Sequence, residues 1–345
     1  MSDVLLLSLG TTIGLRAGDD ALAELMREAG VSVQVARVPI GAAGALRRAY
    51  PVIDLVEAAA ARRALAAALA RARPRAVVFS TSTAALFAPR LDIPYAIRFD
   101  SPSRLNRPGA RNAIQHALER RRMRDARLLL PFSHAAARAL PHGAAPAIVV
   151  HESILPSQPA AARERLAVAY TPDPKAKGLD IAAAAWAAAA LPEARLEVFG
   201  ISPELARRHL ARNGLSEPPG VVWRGRVPAA EFRASLRRAR AFLNGARWED
   251  FGRAQLEALA DGALLVCGPT GGAFEALLHA RELDPTLCAP DLQPASLAGA
   301  LQAAFALPAQ EVERYRRAAA ARMTAYRPEA ARALIAERVL PALLP

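Results

Sequence analysis

Glu249 and Glu257 stand eight residues apart in the stretch ARWEDFGRAQLEALADG (246–262). The apolar run before Glu249 reads as a strand, and the residues from Arg253 onward read as a helix. Glu249 therefore falls in a strand-to-helix loop and Glu257 in the second turn of the helix. One carboxylate is expected at the mouth of a cleft, with the other reaching in from the helix. Each carboxylate accepts two or more hydrogen bonds, which suits hydroxyl-rich ligands. The amides of Phe251, Gly252 and Arg253 would point outward from the helix start, where the dipole favours anions. Taken alone, the pair fits an ordinary helix start with acidic first turns equally well.

The second cluster is Lys175-Ala176-Lys177-Gly178, which holds the only two lysines among 45 basic residues. It lies between an expected strand (165–170) and an expected helix (179–190), at the strand's carboxyl end, where doubly wound sheets bind ligands. An ammonium beside a helix start can neutralise a diphosphate leaving group in place of a metal ion. A solvated turn is the plainer reading. No Gly-x4-Gly-Lys loop, Gly-x-Ser-x-Gly elbow or Asp-x-Asp pair occurs, and histidines 116, 134, 142, 151, 209 and 279 never take metal-ligand spacing. No metal site and no cofactor are expected. The first strand ends in Leu9-Gly10-Thr11-Thr12-Ile13-Gly14, and strand 31–36 ends in Arg37 rather than an acid. Both features argue against a nicotinamide cofactor.

These residues need elements to hold them. The chain has 345 residues, 53% hydrophobic and only 5% aromatic, enough for about two domains with cores of Ala, Leu and Val. Short apolar runs alternate with amphipathic stretches, the pattern of parallel sheets covered by helices. Strands are expected at 4–9, 31–36, 75–80, 95–99, 127–132 and 147–151, with helices at 19–29, 54–72, 110–125 and 133–140. Pro156 and Pro159 then mark a boundary. The alternation restarts with strands at 165–170, 195–200, 221–225, 241–245 and 263–268. Helices are expected at 179–190, 203–212, 228–239, 253–261, 272–281, 294–306 and 309–324, and Pro328 opens a last one to about 340. The domains are 1–158 and 159–325, followed by a C-terminal helix over 326–345.

The net charge is +13, and residues 98–127 hold nine arginines. Helix 110–125 would pack its apolar stripe on the sheet; its basic face is a candidate for an anionic membrane or a polyanionic acceptor. No basic motif interleaved with aromatics points to nucleic acid. The start lacks a signal-peptide pattern, and Cys267 and Cys288 cannot form a disulfide framework. A cytoplasmic protein, peripheral at most at the inner face of the membrane, is expected.

Together the two clusters resemble the retaining GT-B glycosyltransferases of family four. Glu249, then Asp250-Phe251-Gly252, then Glu257-Ala258-Leu259-Ala260-Asp261-Gly262 are similar to that family's Glu-x7-Glu segment. Lys177-Gly178-Leu179-Asp180 looks like its Lys-Gly motif, and Gly271-Gly272-Ala273-Phe274-Glu275 like its Gly-Gly-x-x-Glu segment. The similarity covers about 165–280, and is vaguer over 1–160, where the Gly10–Thr11 loop and 127–140 look familiar. It implies an α/β GT-B fold of two Rossmann-like doubly wound domains facing a central cleft, with the C-terminal helix a candidate to cross back to the first domain.

The resemblance also implies a metal-independent retaining transfer of a sugar from a nucleoside-diphosphate sugar to an unknown acceptor. Glu249 and Lys177 would be catalytic, Glu249 on the transferred sugar and Lys177 on the diphosphate. Glu257 would bind the ribose, and Gly225, Arg226 and Val227 would border the base. Gly10, Thr11, Lys175, Phe251, Gly252 and Arg253 would complete the donor site. Where the family has an arginine before the lysine, this chain has Thr171; Lys175 or Arg226 would compensate. Where the family has a donor-contacting histidine, this chain offers Arg98 and Asp100. An inactive GT-B protein that binds sugar nucleotides or assembles with a partner, or a sugar-nucleotide epimerase, are the alternatives.

Overall fold

All five residues of β1 (Val4–Ser8) are buried, as expected of a parallel strand covered on both faces. The computed structural model describes residues 2–11, 13–39, 52–155 and 163–344. It divides into two compact units, Met1–Ser153 with Pro328–Pro345, and Ile154–Arg327. The boundary expected at 158/159 lies outside the described residues.

In the first unit β1 is followed by α1 (Ile13–Glu28), β2 (Val33–Arg37), α2 (Val52–Arg71), β3 (Ala76–Phe79) and α3 (Ser82–Ala85). Then come β4 (Tyr95–Phe99), α4 (Ser103–Asn106), α5 (Ala113–Asp125), β5 (Leu128–Pro131) and α6 (His134–Arg138). The parallel sheet has the order β2-β1-β3-β4-β5. Helix α1 begins at Ile13 rather than 19, so Gly14 lies in its first turn. The run 147–151 is not a sixth strand: the amides of Ile148 and Val150 bond the β5 carbonyls Leu129 and Pro131 at 2.9 Å, but only an isolated bridge, Leu129 to Ala147, forms.

Inside this unit Arg98 is buried on β4, its guanidinium 3.3 Å from Asp19, 3.4 Å from Glu152 and 4.1 Å above the Phe132 ring. This engagement corrects the expectation that Arg98 stands in for a ligand-contacting histidine. Burial raises the Asp19 carboxyl above its usual range, against the pull of Ser8 and Arg98. Arg98→Ala removes the cation paired with fully buried Asp19, and breaking a buried pair costs about 3–5 kcal/mol. Urea unfolding of that variant should show a loss of this size.

The second unit runs β6 (Leu166–Tyr170), α7 (Leu179–Ala189), β7 (Arg195–Phe199), α8 (Pro203–Arg212), β8 (Val221–Gly225) and α9 (Ala229–Arg238). It continues with β9 (Ala241–Leu243), α10 (Arg253–Ala260), β10 (Leu264–Val266), α11 (Ala276–Leu283), α12 (Pro294–Ala306) and α13 (Ala309–Arg322). Its parallel sheet has the order β10-β9-β6-β7-β8. Strand order reverses between β6 and β9, which makes the loops after these two strands neighbours. The helix expected over 272–281 starts only at Ala276, because Gly272 adopts φ +95°.

The chain returns to the first unit through α14 (Pro328–Leu334), a π-helical turn (Ile335–Val339) and α15 (Leu340–Leu343). Ile335, Val339, Leu340 and Leu343 join Val4, Leu6, Leu22 and Met26 in one buried cluster. The single helix expected here is broken: Pro341 has no N–H for the carbonyl four residues back, and the wider turn makes room for its ring.

Candidate active site

Three loops meet at the carboxyl end of the second sheet. After β6, the Asp173 side chain accepts the amides of Lys175 (3.1 Å) and Ala176 (3.0 Å), turning the lysine segment back on itself. Ala176 O then accepts the amides of Arg247 (2.9 Å) and Trp248 (3.2 Å) in the loop after β9. That loop is fastened on its other side by Glu249 N to Gly271 O, 3.0 Å, and Gly271 N to Arg247 O, 3.1 Å. The contacts are close: a Cβ on Gly178 would lie 1.9 Å from Gly245 O, and one on Gly272 would lie 2.2 Å from Glu249 O.

At this junction Lys177 Nζ stands 2.7 Å from Glu249 Oε2 and donates to Trp248 O at 3.3 Å. Gln255 Nε2 donates to Glu249 Oε1 at 2.8 Å and to Asn244 Oδ1 at 3.0 Å. Both oxygens of Glu249 are thus engaged, and the residue is 7% exposed. It is a buried, held carboxylate rather than one standing open at a mouth. Glu257 occupies the second turn of α10 as expected and pairs with Arg253 at 3.1 Å. The structure therefore gives Arg253 an intrahelical partner.

Burial raises the Glu257 carboxyl above its usual range, and Arg253 and Arg233 oppose the rise. Its folded pKa lies above the unfolded one, so its contribution to stability is full below the ordinary glutamate range and is lost as pH rises through the folded value. Glu257→Gln removes this loss. Its stability relative to the parent should improve as pH rises above the ordinary glutamate range, as read by urea midpoints; a pH-independent difference would contradict this.

Around the carboxylates lie groups that the sequence pattern did not single out. The Tyr170 hydroxyl is raised by burial, further raised by the charge of Glu257 and lowered by that of Arg226, so the three share one environment. Thr171, in the place of the family's arginine, is buried, and its Oγ1 has no hydrogen-bond partner among the described residues. Gln255 could have been found as a polar residue one helical turn from Glu249's loop, although buried amides occur in many cores. Arg226 Nε donates to Gly200 O at 3.4 Å, at the rim of a cavity of about 610 Å³ lined by Pro172, Pro174, Gly200, Arg208 and Arg212. Gly225 (φ +71°) and half-buried Val227 flank it.

Lys175 is exposed. Phe251 is buried against Tyr326, ring centroids 6.4 Å apart, and Gly252 has φ +84° and a place where a Cβ would meet the Phe274 ring at 2.6 Å. Gly10 (φ +51°) and Thr11 follow β1 in the first unit, with Gly10 O accepting from Arg16 at 3.3 Å; Thr12 lies outside the described residues. Lys177, Glu249 and Glu257 are thus gathered in the second unit, with Arg226 beside them. Two histidines distant in sequence, His134 and His151, come together in the first unit with ring centroids 5.3 Å apart.

Residues 164–306, the segment that carries this junction, match the family model described as glycosyl transferases group 1. This segment is thus similar to the group 1 glycosyl transferases. No curated protein matches the sequence. Among solved structures, sucrose-phosphate synthase from Thermosynechococcus elongatus is 16% identical with TM-score 0.73, each chain covered to 99%. Anabaena HepE in complex with UDP and glucose is 15% identical with TM-score 0.71, covering 99% of this chain and 100% of its own. The α,α-trehalose 6-phosphate synthase of Burkholderia multivorans is 14% identical with TM-score 0.68, each chain covered to 99%. These likenesses establish the GT-B fold over the whole chain, and the segment that matches the family model lies in its second unit.

Proposed function

We propose that this protein is a metal-independent retaining glycosyltransferase that takes a sugar from a nucleoside-diphosphate sugar. The observation that carries the reading is the junction of Lys177, Glu249 and Gln255 at the strand-order reversal, with Glu257 on the adjoining helix. Two of the three ammonium protons of Lys177 go to Glu249 and Trp248 O, which leaves one for a diphosphate oxygen. Lys175 and Arg226 add charge nearby. Glu249, held by Lys177 and Gln255, accepts hydroxyls of the sugar, and Glu257 accepts those of the ribose. The base takes the edge formed by Gly225, Arg226 and Val227, and the amides of Phe251 to Arg253 complete the donor surface of the second unit.

Catalysis in this reading comes from positioning the sugar and stabilising the departing diphosphate, through a front-face displacement with an oxocarbenium-like state. The UDP and glucose bound by HepE support a donor of this class. We place the protein in the cytoplasm, with the arginine face of α5 toward the inner membrane surface. No helix among the described residues is long and apolar enough to cross a membrane. A thermal-shift series with UDP, GDP, ADP and dTDP and their sugars tests the donor. Ligand at 100 times its dissociation constant should add about 2.7 kcal/mol of stability, and a response to none of them would end the reading.

A further inference from the structure

The first unit holds a second cavity, of about 750 Å³, at the carboxyl end of β4 and β5. Arg104 from α4, His116 and Arg120 from α5 and His142 from the segment after α6 line it, together with Pro102 and Leu140. Three neighbouring arginines are paired, Arg107 with Asp54 at 3.4 Å and Arg121 and Arg124 with Asp125 at 3.7 and 3.5 Å, whereas exposed Arg111 lies outside the cavity lining. Arg104 and Arg120 have no ion pair or side-chain hydrogen bond among the described residues, and both are exposed. Four cationic or protonatable groups thus converge on one space.

The walls are built rather than accidental. Glu119, the acid in the lining, is buried, and its Oε2 accepts Ser103 N (2.8 Å) and Ser103 Oγ (2.6 Å). Asn112 Nδ2 donates to Arg107 O (2.9 Å) and Pro108 O (3.1 Å), and His116 Nε2 bonds Arg107 O at 2.8 Å. Gln115 Nε2 reaches across to Asp54 at 2.9 Å. Ser103, Asn112, Gln115 and Glu119 are each at most 5% exposed. Burying polar side chains is costly unless they are bonded. Here the bonds staple the 103–112 loop onto α5 and present Arg104 and Arg120 from one rigid frame.

We propose that this cavity binds a phosphate-bearing acceptor, with Arg104 and Arg120 holding the phosphate and the prolyl and alkyl lining meeting the rest of the molecule. The proposal rests on the glycosyltransferase reading for the word acceptor; the phosphate site itself stands on the cavity. Guanidinium groups bind phosphate oxygens in pairs, and a neutral sugar would leave both charges unused.

Calorimetry with inorganic phosphate at physiological salt tests it on four full-length proteins. Arg104→Ala/Arg120→Ala should weaken phosphate by about 10-fold or more. Arg62→Ala/Arg63→Ala, which removes two exposed charges from α2, should leave it within about 2-fold of the parent. Lys177→Ala should retain it. Equal affinity in parent and Arg104→Ala/Arg120→Ala, equal loss in the α2 control, loss only in Lys177→Ala, or no binding by the parent would each overturn the proposal. Flotation with phosphatidylcholine vesicles, with and without phosphatidic acid, separates the sources: flotation that depends on phosphatidic acid and on Arg104 and Arg120 identifies a lipid headgroup, and phosphate binding without flotation identifies a soluble ester. Failure of the glycosyltransferase reading shows separately, as the absence of any nucleotide response.

Discussion

Glu257→Ala should weaken the preferred nucleoside diphosphate by about 10- to 150-fold, the equivalent of one charge-assisted hydrogen bond of about 1.5–3 kcal/mol. Ribose belongs to donor and product alike, so the loss should be visible by calorimetry with the diphosphate alone. Glu249→Gln is expected to behave differently. Its carboxylate lies between Lys177 and Gln255, facing the place assigned to the sugar. Diphosphate affinity should stay near that of the parent while turnover in a donor-consumption assay falls strongly, because the substitution disturbs hydrogen bonds to the reacting sugar. Should both variants bind and turn over like the parent, the two glutamates are features of a helix start and the assignment fails.

Gly178→Ala should destabilise the protein by about 3 kcal/mol or more, combining backbone strain with overpacking. Gly178 has φ +58°, and the added Cβ would fall 1.9 Å from Gly245 O and 2.7 Å from its carbonyl carbon. Backbone cannot rotate away as a side chain can, so the loops after β6 and β9 must separate. Lys177 is the preceding residue, and its ion pair with Glu249 bridges those same loops. Turnover should therefore fall together with the urea midpoint. Gly214→Ala is the control: Gly214 has φ +71° with nothing within 4 Å of the added Cβ, so only the left-handed cost of about 1 kcal/mol applies. Equal losses in the two variants would show that the close approach has no weight.

Much of this was legible in the sequence because it is local. VLLLS and LAVAY are apolar runs too short for most helices and too continuous for a half-exposed strand, and both became buried parallel strands. Asp173 and Gly178 bracket the lysine loop within one turn, and Glu249 and Glu257 carry their spacing in the chain itself. The misreadings are places where a distant contact overrode local preference. Residues 272–275 read as helix, but Gly272 lies under the Glu249 carbonyl. The run 147–151 reads as a strand, and its Ile148 and Val150 amides bond β5, but the pairing forms only an isolated bridge rather than a ladder.

By itself, then, the sequence determined two sets of alternating strands and helices, the loop positions of Lys177 and Glu249, and the place of Glu257 on a helix. Tertiary structure alone decided that Lys177 touches Glu249. The two are 72 residues apart, and they meet because strand order reverses between β6 and β9. That order is a property of right-handed crossovers packing on both faces of a sheet, and no window of residues encodes it. The same holds for Gln255, which bonds the Glu249 side chain, and for Asn244, which accepts from Gln255. Nor could spacing reveal Arg104 and Arg120 as unpaired among so many arginines, since pairing depends on which carboxylates the fold brings near.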